Sequence, residues 1–250
     1  MNNVWLKLRG IWRVLRIILH LLGGVCTIIF VYPLASRLYR LALKQRWSQR
    51  AVKMLGVRLQ VKGQLAAHMR VSNHISWLDV IIINSIIPSV FIAKDDLRHW
   101  PIMGWLSKHT ETYFMQRGSR SAAHKAAQYA ANLLRDNIDV LVFPEGTTSD
   151  GSQVLPFYNA LLQGAIDTAA PVQPIAIRYC DAKGNLSQSP VFCGEINFIE
   201  SLWRIVCADY LIATIHILPP INSLNKERRG LTNQLRDSIT AHLLGYSQRG

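Results

Sequence analysis

A chain of 250 residues, half of them hydrophobic, has the length for one large domain or one domain with an appendage, and enough apolar side chains for a sizeable core. Its formal charge of +13 is lopsided: residues 1 to 70 carry 13 of the 28 Lys and Arg and no acid, so the rest of the chain is formally neutral. A neutral body argues against a nucleic-acid-binding protein. The four cysteines lack a C-x2-C pair, which argues against a structural zinc site and reads as reduced, buried thiols of a cytosol-facing protein.

Residues 17 to 36 form a 20-residue run without Lys, Arg, Asp or Glu. That length just allows a transmembrane helix. Lys7, Arg9, Arg13 and Arg16 precede it, and Arg37, Arg40, Lys44, Arg46 and Arg50 follow it, so a single pass places one basic cluster on the disfavoured side. Residues 34 to 54 read as an amphipathic helix, with Arg37, Arg40 and Lys44 on one face and Leu34, Leu38, Leu41 and Ala42 on another. The preferred reading is two membrane-embedded helices that enter and leave by the cytoplasmic face, on an anionic lipid surface. A single transmembrane anchor is the alternative. The expected division is a membrane-anchoring segment over 1–54 and a body over 55–250.

Residues 57 to 62 alternate strictly and end at Gly63, which predicts a strand. Further strands are expected over 68–72, 90–93, 112–115, 139–143, 172–179 and 211–218. Helices are expected over 77–87, 95–109 with a break near Pro101, about 119–136 behind a serine cap, 157–168, 200–208 and 226–244. The alternation predicts an α/β fold: a mixed sheet flanked by helices, with an N-terminal membrane-embedded helical segment.

Two stretches carry the chemistry. The first runs Arg70-Val71-Ser72-Asn73-His74-Ile75-Ser76-Trp77-Leu78-Asp79, a strand-to-helix turn with a histidine and, five residues on, an acid. On one continuous helix the two would sit about 140° apart. With His74 in the loop and Asp79 in the first helical turn they meet, and a histidine held by a carboxylate is a general base. A loop histidine beside a helix-start acid, with no chemistry, is the other reading of that spacing. The second stretch runs Asp139-Val140-Leu141-Val142-Phe143-Pro144-Glu145-Gly146-Thr147-Thr148-Ser149.

Together these stretches resemble the glycerolipid acyltransferase family, whose best-known members are 1-acylglycerol-3-phosphate acyltransferases. His74 and Asp79 match its first block, and Phe143 to Thr147 its third. Tyr113-Phe114-Met115-Gln116-Arg117 is similar to the strand ending in a phosphate-binding arginine, and residues 170 to 175 to the family's proline-rich strand. The resemblance covers roughly residues 70 to 180. It implies transfer of a fatty acyl group from acyl-CoA or acyl carrier protein to the free hydroxyl of 1-acylglycerol 3-phosphate, at a membrane, as a step of phospholipid synthesis. His74 is then the base and Asp79 its orienter, while Arg117, Glu145, Gly146 and Thr147 bind substrate. No metal and no cofactor is implied, since a thioester brings its own leaving group. Backbone N–H groups around Gly146 or near Ser76 are the open candidates for the oxyanion. The chain departs from the pattern at Thr148, where the family often has Arg. Residues 157 to 160 also lack the family's Lys and Gly. Lyso-ornithine lipid and glycerol 3-phosphate are therefore alternative acceptors. A non-catalytic lipid-binding protein is the alternative of another class, against which the intact His74 and Asp79 speak.

Overall fold

A computed structural model describes residues 3–99, 102–116 and 118–247. Two helices come first, α1 (Asn3–Cys26) and α2 (Arg37–Leu55), joined by a π-helical turn at Thr27–Val31 and a 3-10 turn at Tyr32–Leu34. The body follows as β1 (Val57–Lys62), β2 (Met69–Ser72), α3 (Leu78–Ile86), β3 (Val90–Lys94), α4 (Met103–His109), β4 (Thr112–Met115), α5 (Arg120–Arg135) and β5 (Val140–Val142). It ends with α6 (Gln163–Asp167), β6 (Val172–Cys180), α7 (Phe198–Cys207), β7 (Leu211–Ile217) and α8 (Arg228–Ser247). The strands fall where the alternating and β-branched runs place them.

One helix is shorter than the sequence suggests. The segment 157–168 yields only a 3-10 turn and the five-residue α6, pressed so close to α5 that a Cβ on Gly164 would lie 2.5 Å from the Ala127 carbonyl oxygen. The segment 95–109 divides into a 3-10 turn at Asp95–His99 and α4. Pro101, the expected break, lies outside the described residues.

The seven strands form one sheet in the order β1-β7-β6-β2-β5-β3-β4. Only β6 and β7 pair antiparallel; the other neighbours are parallel. The strands bury both faces. Leu141, Ile175 and Ile177 meet Leu78 and Ile82 of α3 on one side, while Met69, Val71 and Val142 meet Ala126 and Ala130 of α5 and Leu231 and Leu235 of α8 on the other. The first core also takes in Ile17 of α1 and Ala51, Val52 and Leu55 of α2. The boundary expected after residue 54 thus falls in the last turn of α2, and one core runs across it.

The helical hairpin packs its inner face on the body and leaves its outer face bare. Trp5, Leu8, Trp12, Leu15, Leu19 and Leu22 follow a helical spacing and are each more than half exposed. One helix, taken over Val4–Leu34, is long and apolar enough to cross a membrane. Helix α1 begins well before the uncharged run, and its Arg9 and Arg13 turn away from this apolar face. Arg9 donates to Ala208 O at 2.8 Å and Arg13 to Val206 O at 2.8 Å, where the carbonyls at the end of α7 attract cations. The basic face expected on α2 also reaches the body, from the exposed Arg37 to the buried Lys44. Arg37 pairs with Glu111 at 2.9 Å, and the buried Lys44 ammonium donates to Ser89 O and Thr110 O. Part of the N-terminal charge therefore fastens the hairpin to the body rather than facing a lipid surface.

Candidate active site

Ligands of open α/β sheets bind beyond the carboxyl ends of the strands. Both informative stretches leave the sheet there, from the neighbouring parallel strands β2 and β5. Strand β2 stops at Ser72, and the Asn73 side chain continues its pairing: it accepts from Ile177 N at 2.8 Å and donates to Ile177 O at 3.0 Å. The chain then loops through residues 74 to 77 and turns into α3.

The loop resolves the five-residue spacing. His74 lies outside the helix and Asp79 in its first turn, so Nδ1–H of His74 donates to Asp79 Oδ2 at 2.8 Å. The same oxygen accepts from Ile75 N at 2.7 Å and Ser76 N at 2.9 Å, and Oδ1 accepts from the Tyr179 hydroxyl at 2.6 Å. Four donors satisfy a carboxylate whose residue is 0% exposed. The imidazole lies flat on the Phe143 ring, with centroids 4.0 Å apart and planes at 13°. With Nδ1 committed to Asp79, Nε2 carries the lone pair that takes a proton. The imidazole is 19% exposed, so a substrate reaches it.

The second stretch clasps this histidine by its backbone. Glu145 Oε1 accepts from His74 N at 2.8 Å, and Ser149 N donates to His74 O at 2.8 Å. Between these two fastenings the chain turns at Gly146, whose φ of +65° favours glycine and where a Cβ would lie 3.1 Å from the Tyr158 ring. Thr147 is exposed on that turn. Thr148 donates its hydroxyl to Phe192 O, holding a second loop beside the site.

Glu145 differs from the role its resemblance implies. It is 2% exposed, and its other oxygen accepts from Leu155 N at 3.0 Å. Both oxygens brace backbone, so the residue shapes the loop. Burial pushes its carboxyl up to about 7, against the pull of its two backbone donors. A raised folded value favours the protonated form. The stabilisation it brings is fully present below the ordinary 4.5 and is lost as pH rises through about 7. Glu145→Gln lacks an acceptor for one N–H and is expected to lower Tm by about 2–10 °C. In thermal melts the gap between wild type and variant is expected to narrow as pH rises through 7. A gap of constant width would show that Glu145 does not titrate there.

The oxyanion candidates narrow as well. The N–H groups of Ile75 and Ser76 are bonded to Asp79, and that of Gly146 to Phe143 O at 3.1 Å. Among the described residues no acceptor engages the N–H groups of Thr147 and Thr148. Arg117 lies outside the described residues. Tyr179, Asn73 and the stacked Phe143 were not anticipated as site residues. Tyr179 shares a strand face with Ile175 and Ile177, which places it toward α3, but periodicity says nothing of its hydroxyl's partner. A separate cavity of about 380 Å³ lies between the hairpin and helices α3 and α4, lined by Leu19, Ile28, Leu43, Val80, Met103 and Leu106 among others.

Known proteins share both the fold and the sequence. A family model described as Acyltransferase matches residues 60–178. The lyso-ornithine lipid O-acyltransferase of Pseudomonas aeruginosa is 31% identical over 217 residues, 86% of this chain and 81% of that protein. The 1-acyl-sn-glycerol-3-phosphate acyltransferase of Neisseria gonorrhoeae is 33% identical over 171 residues, 68% of this chain and 67% of that one. The crystal structure of the 1-acyl-sn-glycerophosphate acyltransferase PlsC of Thermotoga maritima shares the fold, with a TM-score of 0.74, 22% identity, and coverage of 100% of this chain and 99% of its own. Since relatives about a third identical match it over two thirds or more of both lengths, and the family model spans the stretches that join His74, Asp79 and Glu145, the chain belongs to the acyltransferase family.

Proposed function

We propose that this protein transfers a fatty acyl group from a thioester to the free hydroxyl of a lysolipid at the cytoplasmic face of a membrane. The observation that carries the reading is His74 held by the buried Asp79, with Nε2 left as a base at the carboxyl ends of the strands. Nε2 takes the proton of the lipid hydroxyl while its oxygen attacks the thioester carbonyl. The oxyanion forms against the Thr147 and Thr148 N–H groups. Its collapse expels the thiolate, which takes the proton back from His74. Neither metal nor cofactor enters this scheme; acyl-CoA or acyl carrier protein is the donor. The bare apolar face of α1 rests in one leaflet, because its other face packs on α7 and the core. The cavity beneath the hairpin has the size of a small-ligand pocket and an apolar wall suited to an acyl chain.

The acceptor we assign first is 1-acylglycerol 3-phosphate, giving phosphatidic acid, with Arg117 forked onto the phosphate. Lyso-ornithine lipid, which has no phosphate, is a second reading. It is favoured by Thr148, which places no cation where the family often has one, and by the long match to the Pseudomonas protein. Purified protein in mixed micelles, given labelled acyl-CoA or acyl carrier protein and each acceptor in turn, tests both. Arg117→Ala is expected to lower kcat/KM for the phosphate acceptor by about 10- to 150-fold, the value of a charge-assisted contact, and to spare a phosphate-free acceptor. Equal losses on both would remove the reason for a phosphate acceptor. Absence of transfer to any lysolipid would overturn the reading as a whole.

A further inference from the structure

We infer that Tyr179 is a positioning residue for the transfer, acting through Asp79 on the basicity of His74. The inference rests on the reading of His74 as the base. Tyr179 lies one residue past the stretch matched by the family model. It is reached because β6 outruns β2: beyond the Ser72–Ile175 pair, β6 continues for five residues beside the loop that carries His74. Asn73 locks that overhang by its two bonds to Ile177. Two residues further, on the same face, the Tyr179 ring enters the core under α3 and is 0% exposed.

Its hydroxyl is the one donor to Asp79 Oδ1 among the described residues, at 2.6 Å. The other three donors converge on Oδ2. The two oxygens are thereby given separate tasks, one facing the histidine and one facing the phenol, and the carboxylate cannot rotate without breaking both sets. Burial, the Asp79 charge and the hydrogen bond itself keep the phenol protonated well above its ordinary range, so it donates throughout the working pH range. A donor on Oδ1 draws charge from Asp79 and limits how strongly the pair binds a proton. The ionisable groups around Asp79 are His74, Tyr179 and the more distant Glu145, whose carboxyl the Asp79 charge helps to raise.

Tyr179→Phe keeps the ring and removes the donor. It is expected to lower kcat about 10-fold with KM for both substrates unchanged. Without the phenol's donation to Asp79, the acid limb of the kcat/KM profile is expected to move up by roughly one pH unit. Replacing Tyr179 alone with 3,5-difluorotyrosine, a stronger donor, is expected to move that limb down. Opposite shifts from the two replacements are not produced by a residue that only fills space. The fluorinated variant also serves if the Phe variant does not fold. Wild-type kcat together with an unmoved limb in either variant would overturn the inference. The outcome also separates the two readings. If His74→Ala is inactive and the Tyr179 variants behave as wild type, only the role of Tyr179 falls; if His74→Ala turns over normally, the base itself is misassigned.

Discussion

His74→Ala is expected to lower kcat by about 10²–10⁴-fold, the usual contribution of a positioned base. The attacking alcohol is a weak nucleophile until its proton has somewhere to go. In this site the acceptor is a nitrogen oriented three ways: by the Nδ1 bond to Asp79, by the Phe143 ring beneath it, and by the Glu145 and Ser149 clasp on its backbone. None of the clasp depends on the imidazole, since it holds the main chain, so the alanine variant is expected to fold and to bind vesicles as wild type does. Steady-state assays on the purified variant, beside a vesicle sedimentation control, make the measurement. Turnover within a few-fold of wild type would end the general-base mechanism.

Asp79→Asn is expected to cost about 10⁴-fold in kcat, as neutralising the acid of a catalytic triad does. The amide is nearly isosteric but brings one acceptor where the site supplies four donors. Its oxygen belongs at the Oδ2 position, against Ile75 N, Ser76 N and the His74 ring, which leaves the amide nitrogen facing the Tyr179 hydroxyl. The phenol can turn and accept, so the fold survives. What is lost is the negative charge that stabilises the imidazolium as it forms. Asp79→Ala removes the acceptor as well, and each unpaired N–H costs roughly 1–3 kcal/mol. The comparison separates charge from structure: the Asn variant is expected to melt close to wild type and be nearly inactive, the Ala variant to fail on both counts. An Asn variant with kcat within 10-fold of wild type would make Asp79 a structural acid only.

The contacts that the sequence leaves open share a cause. The inward roles of Arg9, Arg13, Arg37 and Lys44 were hidden because a charge is counted from sequence without its partner. Their partners are backbone carbonyls, Asp209 and Glu111, brought near only when the hairpin folds back on the body. The motif leaves Glu145 open between a substrate contact and a structural loop acid, and the fold engages its two oxygens with His74 N and Leu155 N, one of them 71 residues away in sequence. Which amides stay open for an oxyanion depends on acceptors that the fold brings to Ile75 N, Ser76 N and Gly146 N.

The sequence by itself determined the strands, the mixed sheet flanked by helices, the apolar N-terminal helix and the meeting of His74 with Asp79. These rest on local patterns: residue alternation, helix caps, largely apolar runs without charge, and a five-residue separation that closes only across a loop-to-helix turn. Tertiary structure alone decided that the hairpin shares the body's core, that the Glu145–Ser149 loop clasps the histidine by its main chain, and that a phenol 100 residues from Asp79 completes that carboxylate's bonding. Those are matters of which buried polar group finds which partner. Periodicity gives the face a side chain points to, whereas hydrogen-bond satisfaction depends on the few ångströms that only the packed sheet sets.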